Sequence, residues 1–304
     1  MEKIVIIGRV PPPVGGVSTV VYRQSEFLKE KNEVFLFSEF RLGHLFQIIQ
    51  KILFSDKIYV HSISELVLLL LFFLFSLKKT IVVDHNHMRK YATRPNRKKI
   101  VLWLLSKVLC IQLDSQHLLE AYGPGFKGKT KIITPFYPPT KVELDKAELP
   151  TNVQTFISSK SNIIVVSAWR LIFENGIDLY GFDFSLDVLK ELEKLKENIG
   201  MILCIGDVTY NKDYFDKLKN KVTSLKLDNN VLFWENCKNS WVLFREPMIY
   251  FRPTSTDGNS ISILEAVHFG IPVIASDVIP RPKEVKVFSY SDIESAKKAI
   301  LQEI

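Results

Sequence analysis

Two carboxylates and a run of small polar residues lie close together in the C-terminal half of the sequence. Asp257 and Glu265 are separated by seven residues. The intervening segment begins with Gly258, Asn259, Ser260, Ile261 and Ser262. Asp257 starts a turn signal, and Ser260 or Ser262 can cap a helix that ends before Gly270. Carboxylates accept hydrogen bonds from vicinal hydroxyls, and the N–H groups of a helix start suit phosphate oxygens. The pattern favours a ligand that carries both, such as a sugar nucleotide. A capping acid and a surface glutamate would give the same pair.

A glycine pair near the N-terminus could support similar chemistry. Gly15 and Gly16 follow the first predicted strand and precede a helical pattern from Thr19 to Lys29. Glycine lets the backbone approach a ligand closely, and N–H groups at a helix start favour anions. The patterns GxGxxG and GxxxxGK[ST] are absent, which disfavours a nicotinamide cofactor and a P-loop. An ordinary turn between a strand and a helix explains the pair at least as well.

The elements that must position these residues are short apolar strands that alternate with longer helical stretches. In the first half the predicted strands are Lys3–Gly8, Glu33–Ser38, Lys57–His61, Thr80–Asp84, Leu109–Leu113 and Lys131–Thr134. In the second half they are Asn162–Ser167, Met201–Ile205, Val231–Trp234, Met248–Arg252 and Pro272–Ala275. This alternation predicts parallel α/β sheets with helices on both faces. Ligands of such sheets bind at the carboxyl ends of the strands, so we expect two doubly wound domains facing a cleft.

A proline-rich stretch separates the two halves. Residues 135–151 contain four prolines among charged residues and show no strand or helix pattern, which predicts a linker. We expect one domain at residues 1–140, on the acceptor side, and a second at residues 151–304 that binds the nucleotide sugar. A chain of 304 residues is long enough for two such compact domains.

The charge of the chain is divided unevenly between these halves. Residues 1–150 hold 22 Lys and Arg against 13 Asp and Glu, a net charge of +9, and residues 151–304 hold 18 against 20, or −2. Such asymmetry predicts that the first half faces nucleic acid, an anionic membrane surface or a phosphate-bearing substrate. Nucleic acid is the least favoured of these, because the sequence has no basic–aromatic nucleic-acid motif.

Cysteine usage and the N-terminus indicate a reducing compartment. Cys110, Cys204 and Cys237 are far apart, and the sequence has no CxxC pair and no histidine at zinc spacing. A disulfide framework and a structural zinc site are therefore disfavoured, and the cytosol fits. The start MEKIVIIGRV has a short apolar run interrupted by Arg9, which predicts a strand rather than a signal peptide.

Two apolar stretches of the first half bear on membrane attachment. Ile63–Leu77 is shorter than the roughly 18 residues of a spanning helix, which predicts a crossover helix, buried or partly membrane-facing. Arg94–Lys107 mixes five basic residues with Trp103 and leucines, as interfacial amphipathic helices do. A solvated basic face over a packed apolar face explains it about equally well. Together with the charge, we predict a cytoplasmic protein that is peripheral on the inner face of the plasma membrane.

The order of these signals resembles glycosyltransferase family 4, whose members have the GT-B architecture of two Rossmann-like domains. In that family an acidic residue, seven intervening residues and a glutamate accompany an LEA…G.PVIAS stretch. Here Asp257 and Glu265 hold the acidic places, and Leu264–Ala266 and Gly270–Ser276 supply the stretch. The family's GGV loop matches Gly15–Ser18. The resemblance covers nearly the whole chain, and the C-terminal block is its specific part.

The resemblance implies roles for the acidic segment. Glu265 resembles the glutamate that holds the ribose hydroxyls. Asp257 resembles the acid near the hydroxyls of the donor sugar, where glutamate is usual. The backbone of Asn259–Ser262 resembles the segment over the sugar and phosphates. The expected donor-binding residues are Gly15, Gly16, Arg170, Arg252, Asp257, Gly258, Asn259, Ser260, Ile261, Ser262 and Glu265.

The resemblance also implies cations for the diphosphate. Arg170 resembles the arginine that clamps it, but the lysine that usually follows is missing from Ile172–Gly176. Either Asn175 takes that place or an insertion before Tyr180 shifts the register. The loss of a cation weakens stabilisation of the leaving group unless another group substitutes. Arg252 is the candidate substitute, and a strand-end arginine paired with a nearby acid is the equal alternative.

A histidine at the end of an N-domain strand often contacts the donor sugar in that family. His85 is the first choice here and His87 the second, and His61 could line the acceptor side. The pair His85 and His87 could also suggest a metal, but no third ligand is evident, so we expect no metal. Each of these histidines can instead be a hydrogen-bonded structural residue. We expect His85, Asp257 and Arg170 to be the catalytic residues.

The resemblance implies a retaining, metal-independent sugar transfer of the hexosyltransferase type. The nucleotide sugar is then a substrate, with no further cofactor, and the acceptor is a glycan or a polyprenyl-diphosphate-linked molecule. By analogy, the product belongs to a cell-surface polysaccharide such as lipopolysaccharide or capsule. Two alternatives remain: a sugar-nucleotide epimerase on the same fold, and a non-catalytic membrane partner with a decayed donor site.

Overall fold

The computed structural model describes residues 1–11, 16–38, 45–85, 87–113, 116–133, 136–174, 176–256 and 260–304. The chain divides into two compact units, Met1–Thr140 and Lys141–Ile304. We call them unit 1 and unit 2. Unit 1 begins with a strand, as the apolar residues after Glu2 predict.

Unit 1 contains a six-stranded sheet in which every pairing is parallel. Its strands are β1 (Lys3–Ile7), β2 (Glu33–Phe37), β3 (Lys57–Val60), β4 (Thr80–Asp84), β5 (Cys110–Leu113) and β6 (Thr130–Ile132). Its helices are α1 (Gly16–Lys29), α2 (Leu45–Leu53), α3 (Glu65–Phe73) and α4 (Pro95–Leu105). The strand order is β2-β1-β3-β4-β5-β6. The chain therefore adds β2 on one side of β1 and all later strands on the other.

Alternate residues of β1 serve two separate apolar cores in unit 1. Ile4 and Ile6 pack with Val21 of α1 on one face of the sheet. Val5 and Ile7 belong to a larger cluster with the buried side chains of α2, α3 and α4 on the other face. The sheet is thus covered on both faces, as its continuous apolar strands predict.

Unit 2 contains a second six-stranded, all-parallel sheet and a short antiparallel hairpin. Its strands are β7 (Asn162–Arg170), β8 (Phe173–Glu174), β9 (Ile177–Asp178), β10 (Ile199–Asp207), β11 (Val231–Glu235), β12 (Ile249–Arg252), β13 (Val273–Ser276) and β14 (Val285–Phe288). Its helices are α5 (Lys141–Asp145), α6 (Thr151–Ser158), α7 (Phe182–Glu193), α8 (Lys212–Ser224), α9 (Ile261–His268) and α10 (Ile293–Leu301). The order β11-β10-β7-β12-β13-β14 is that of the dinucleotide-binding Rossmann fold.

The centre strand of unit 2 is also buried on both faces. Ile164 and Val166 of β7 pack with the apolar faces of α7, α8 and α10. Ile163 and Val165 pack on the opposite face with residues of α6 and α9. Both units are therefore doubly wound, and the predicted α/β fold class is confirmed.

Several elements of unit 2 differ from the sequence-based expectation, among them the hairpin of β8 and β9, which was not predicted. β7 continues to Arg170 rather than ending at Ser167, so Arg170 lies on the strand itself. The strand β14 was not predicted, because its sequence VKVF alternates and its middle residues are exposed, as on a sheet edge. The stretch predicted to be linker contains the short helix α5.

A pair of glycines provides a matched test of backbone geometry in unit 2. Gly181 precedes α7 with φ of +68°, and a Cβ there would lie 2.3 Å from the carbonyl oxygen of Pro253. Gly270 follows α9 with φ of +72°, and a Cβ there would meet no heavy atom of the described residues within 4 Å. Both alanine variants carry left-handed strain of about 1–2 kcal/mol. Only Gly181→Ala adds a steric conflict with backbone.

We therefore expect Gly181→Ala to lower the thermal unfolding midpoint of unit 2 clearly more than Gly270→Ala does. The overlap should add about 1–3 kcal/mol to the loss, the usual cost of overpacking. Circular dichroism during heating would measure both variants against the unmodified chain. Equal losses would show that the contact between Gly181 and Pro253 is not tight.

Candidate functional site

Each sheet has one point at which the direction of strand addition reverses. In unit 1 this point lies between β1 and β3, and in unit 2 it lies between β7 and β12. In open α/β sheets the crevice at the carboxyl ends of such neighbouring strands is the usual place for a ligand. The residues that end these strands are therefore the candidate ligand-binding residues.

Arg170 and Arg252 end the two strands that flank the switch point of unit 2. The Arg170 Nε donates a hydrogen bond of 3.0 Å to Asp207, the last residue of β10. Its guanidinium stacks 4.8 Å from the ring centre of Tyr210. Hydrogen bonds from Thr209, together with the Arg170 cation, lower the pKa of the Asp207 carboxyl. The side chain of Arg170 is nevertheless 43% exposed, so this cation is oriented and accessible.

Arg252 is held more deeply at the same edge. It is 8% exposed, and its Nη1 donates to the carbonyl oxygen of Ser167 at 3.1 Å. Its guanidinium carbon lies 5.0 Å from the ring centre of Tyr180. The structure thus places two arginines on adjacent strands at the switch point. The register of the two strands sets Arg252 level with Ser167, and Arg170 lies three residues further along β7. Arg252 is the buried cation of this edge and Arg170 the more exposed one.

The acidic segment follows β12 at the same sheet edge. Helix α9 begins at Ile261, and Ser260 holds the N-cap position with an extended backbone. Ser262 lies in the first turn, whose N–H groups have no acceptor within the helix. Glu265 is 5% exposed, so its carboxyl is turned inward rather than to solvent. This excludes the alternative of a surface glutamate.

Several predicted site residues lie outside the described parts of the chain. These are Gly15, Asn175, Asp257, Gly258 and Asn259. Their assignments remain predictions from the sequence. Gly16 is described and is the first residue of α1.

The loop after β12 is tied to the next strand. The Ser276 Oγ donates to the carbonyl oxygen of Thr254 at 2.7 Å. The Arg281 Nε donates to the carbonyl oxygen of Ser276 at 3.0 Å. Thr254 and Ser276 are fully buried. These contacts hold the base of the acidic loop in one position.

Two histidines meet at the carboxyl edge of the unit 1 sheet. His61 follows β3 and His85 follows β4, and their Nδ1 and Nε2 atoms are 3.2 Å apart. On the other side of His61, its Nε2 lies 2.5 Å from the Oε1 of Gln24 in α1. An added Cβ at Gly8 would lie 3.0 Å from the His61 Cβ and 2.9 Å from Val21, so α1 can pack this closely only because residue 8 is glycine.

The hydrogen bonds fix which nitrogen of each ring carries a proton. Gln24 Oε1 can only accept, so the Nε2 of His61 is the donor and its Nδ1 is the acceptor. His85 must then donate from its Nε2 to His61. Burial raises the pKa of Tyr137, and a hydrogen bond from Gln24 opposes that rise, which is consistent with the Gln24 amide nitrogen facing Tyr137. A chain of four side chains, Tyr137–Gln24–His61–His85, therefore orients His85 with its Nε2–H toward His61.

A buried carboxylate supports the third histidine of this edge. Asp84 accepts a hydrogen bond of 2.6 Å from the Tyr122 hydroxyl and one of 2.5 Å from the backbone N–H of His87. Burial opposes ionisation of Asp84, but the hydrogen bonds from His87 and Tyr122 outweigh it and lower its pKa. The Nδ1 of His87 lies 3.6 Å from the same carboxylate. Within the described parts of the chain, no group of three or more His, Cys, Asp and Glu side chains could hold a metal ion.

Burial of His61 predicts an acid-sensitive fold in unit 1. Burial, with the charges of His85 and His87, lowers the pKa of His61 from about 6.5 to about 3. The unfolded chain takes up this proton below about pH 6.5, and the folded chain does so only near pH 3. The stability that neutral His61 provides is therefore complete above about pH 6.5 and declines at about 1.4 kcal/mol per pH unit as the pH falls.

The variant His61→Gln should remove this dependence. We expect its deficit in thermal stability against the unmodified chain to shrink between about pH 7 and about pH 5. Thermal unfolding of both proteins across that range measures the difference, in which the titration of other groups cancels. Parallel curves would mean that His61 is not held neutral.

The sequence interpretation missed the partners of the predicted residues. Asp207 ends a strand whose Gly206 signals a close approach, since an added Cβ there would lie 2.2 Å from Trp169. That glycine could have drawn attention to Asp207. Asp84 could have been found from its place directly before His85. Gln24 had no local signal, because it lies inside a helix.

Comparison with known proteins gives four findings. Residues 154–288 match the family model described as glycosyl transferases group 1. An uncharacterized glycosyltransferase of Methanocaldococcus jannaschii is 23% identical over 212 residues, a match that covers 68% of this chain and 45% of the relative. The structure of Anabaena Alr3699/HepE in complex with UDP-glucose is similar over 99% of this chain and 89% of that chain, with a TM-score of 0.66 and 15% identity. The structure of WaaG, a glycosyltransferase involved in lipopolysaccharide biosynthesis, is similar over 99% of this chain and 90% of that chain, with a TM-score of 0.58 and 13% identity.

Proposed function

We propose that the protein transfers a sugar from a nucleotide-sugar donor to an acceptor, because residues 154–288 match the family model described as glycosyl transferases group 1. The expected resemblance to GT-B glycosyltransferases is confirmed by the family match and by the fold of the similar structures. The observation that carries the proposal is the pair of arginines at the switch point of unit 2, beside the start of α9.

Unit 2 offers complementary groups for each part of a nucleotide sugar. The diphosphate meets Arg170, Arg252 and the N–H groups of Ser260–Ser262, where the helix dipole adds attraction. The inward carboxylate of Glu265 accepts hydrogen bonds from the ribose hydroxyls. A structure similar to this chain was determined with UDP-glucose, which supports this class of donor.

The arginines also stabilise the leaving group, which is the nucleotide diphosphate. As the bond to the sugar breaks, negative charge develops on the nucleotide diphosphate, and fixed cations stabilise it without rearrangement. We propose that Arg170 and Arg252 do this without a metal or another cofactor. His85, oriented by its hydrogen bond with His61, provides a hydrogen-bonding group for the donor sugar, and Asp257 holds the sugar hydroxyls. The transfer retains the configuration of the sugar.

The acceptor and the cellular place of the reaction are proposed from charge and analogy. A glycan or polyprenyl-diphosphate-linked acceptor suits the basic first half of the chain, and cell-surface polysaccharide synthesis is the expected pathway. No described helix is long and apolar enough to cross a membrane. We propose peripheral attachment to the cytoplasmic face of an anionic membrane.

The first experiment is thermal stability of the full chain against UDP-, GDP-, ADP- and dTDP-sugars, with NAD as a control. A ligand that binds the folded protein raises the unfolding midpoint by mass action. We expect one nucleotide class to raise it and NAD to leave it unchanged. No response to any donor in folded protein would contradict the proposed function and favour a decayed donor site. Donor isomerisation without an acceptor would identify an epimerase.

The acidic segment is tested by Glu265→Ala beside Asp257→Ala. We expect each to weaken donor binding on the order of 10- to 100-fold, because hydrogen bonds to a charged group contribute about 1.5–3 kcal/mol. Glu265→Gln keeps the side-chain volume and should show the same direction of change. Glu235→Ala, at the exposed end of β11, is the control. If neither acidic variant weakens binding or turnover, the assignment of this segment is wrong.

A further inference from the structure

Three consecutive helices of unit 1 end in exposed apolar residues beside lysine. The helices α2, α3 and α4 each lead directly into the next strand, so their last residues lie at the amino edge of the sheet. The exposed apolar side chains there are Leu53, Phe54, Phe73, Phe75, Trp103 and Leu109. We call this surface the amino-edge patch. A folded protein rarely leaves so many large apolar groups together in water without a partner for them.

Phe75 is the most unusual residue of this patch. It is 93% exposed, and its φ of +52° lies in the left-handed region, which bulky residues avoid. Neither packing nor backbone preference explains an aromatic residue there. Strained residues persist where the surroundings enforce them, often at functional positions.

The lysines of the patch surround a groove. A groove of about 590 Å³ runs between the ends of α3 and α4, and it is lined by Phe72, Phe75, Leu109, Lys78, Lys107 and Lys129 among others. The groove is continuous with the aromatic pair Phe72 and Trp103, whose ring centres are 5.1 Å apart. The Lys107 ammonium lies 4.6 Å from the ring centre of Trp103. Aromatic side chains and lysine ammonium groups therefore lie side by side along this groove.

The end of α2 joins the same surface through Lys79. Its ammonium donates to the carbonyl oxygens of Leu53 at 2.9 Å and Ser55 at 2.6 Å. This places the exposed Phe54 next to the turn that carries Lys78. Of the carboxylates near this edge, Glu2 is paired with Lys57. Asp56 accepts from the backbone of Lys3 and lowers the local positive charge only in part.

We infer that the amino-edge patch docks on an anionic lipid bilayer, with its apolar tips in the interface and its lysines on phosphate headgroups. Amphipathic lysines favour this arrangement because their stems lie along apolar surface while the ammonium stays at headgroup level. A second copy of the chain is the weaker occupant, since a shared patch would bring two sets of lysines together. The inference rests on the membrane attachment proposed above and assigns it to named residues.

The patch and the histidines of unit 1 lie at opposite ends of the same sheet. His61 and His85 lie at the carboxyl edge of the same sheet, which is the opposite end of β3 and β4 from Lys78 and Phe75. The residues proposed to bind the diphosphate and the ribose belong to unit 2. Membrane binding and nucleotide binding can therefore be measured independently on the same protein.

The test is flotation of the full chain with phosphatidylcholine vesicles, with and without phosphatidylglycerol. We expect binding only to the anionic vesicles and a decline with salt. The triple variant Lys78→Gln/Lys107→Gln/Lys129→Gln should bind about 100-fold more weakly, since each lysine near such a surface contributes roughly a fivefold factor. Phe75→Asn should bind at least about tenfold more weakly, through the loss of apolar burial.

The variant Phe75→Asn should also stay folded, so that a loss of vesicle binding cannot result from unfolding. Asparagine adopts the left-handed region more easily than phenylalanine, so this variant should be at least as stable as the unmodified chain. Leu195→Ser is the control, because Leu195 is 57% exposed in unit 2 and lies outside the patch. It should bind vesicles as the unmodified chain does.

Three outcomes would overturn the inference. These are no binding to anionic vesicles, unchanged binding by both patch variants, and a dimer that Phe75→Asn disperses while no vesicle binding is seen. The nucleotide response of the same preparations separates the two proposals. A donor-induced rise in stability without vesicle binding rejects the patch alone, and vesicle binding without any donor response rejects the proposed function alone.

Discussion

Replacing Arg170 with glutamine should lower kcat for sugar transfer about 100-fold. Arg170 is the accessible cation at the switch point of unit 2, and its Nε is oriented by Asp207. Removing one preoriented donor to a developing negative charge typically costs about 100- to 1,000-fold in rate. Steady-state kinetics with the donor identified by the thermal panel would measure this effect.

Stability should hardly change in Arg170→Gln. The pair between Arg170 and Asp207 is partly exposed, and such ion pairs contribute about 0–1 kcal/mol to folding. The thermal unfolding midpoint is therefore the first control. A large loss of stability with normal turnover per folded molecule would show that Arg170 is structural.

Two further variants separate charge from orientation. Arg170→Lys keeps the charge but loses the planar fork that binds phosphate oxygens, so we expect intermediate activity. Asp207→Asn keeps the arginine but weakens its anchor, and it should raise KM more than it lowers kcat. If Asp207→Asn were as damaging as Arg170→Gln, the aspartate itself would have to contact the substrate.

The second large effect is expected at His85. His85→Ala should lower kcat about 100-fold or more, the usual contribution of a positioned group that exchanges protons or hydrogen bonds with the reacting sugar. Donor binding should fall much less, because the phosphate and ribose contacts belong to unit 2. Single-turnover kinetics beside a donor titration distinguishes the two. A loss confined to donor affinity would make His85 a binding residue only.

The role of His85 can also be tested through Gln24, which accepts the hydrogen bond of His61. Gln24→Leu removes the acceptor that fixes the His61 proton, so His85 loses its single orientation and kcat should fall roughly tenfold. Gln24→Glu restores an acceptor for His61 and should recover much of that loss. The new carboxylate also stabilises protonated His61, so the acid limb of the pH–kcat profile should move to higher pH. A merely structural role for Gln24 would leave the profile in place.

The fold was predictable because its central strands carry a strong signal. The β-branched runs of β1, β4, β7 and β10 are buried on both faces, and their boundaries differ from the prediction by few residues. The strand β14 was not predictable by the same rule. At a sheet edge only one side of the strand is paired, so Lys286 and Val287 are exposed and the apolar run is broken.

The candidate site residues came from two kinds of signal. Arg170 and His85 were proposed from the resemblance to the family, and Arg252 from its place at the end of a predicted strand, where ligands of parallel sheets bind. Their roles stay predictions. Gln24 was not predicted, since its contact with His61 depends on how α1 crosses the sheet, which no local pattern encodes. The inward direction of Glu265 likewise depends on how α9 packs between strands.

The strand order of unit 2 also constrains how the chain is made. The central strand β7 pairs on one edge with β12, in which Ile249 lies opposite Ile164. The strand β12 is synthesised much later than β7. During synthesis that edge of β7 stays unpaired while β10 and β11 can already assemble on the other side. Such open strand edges are templates for aggregation, and distant pairings form slowly. Chains cut before β12 should therefore be recovered mainly as insoluble or chaperone-bound protein, because β12 is the strand that covers this edge of β7.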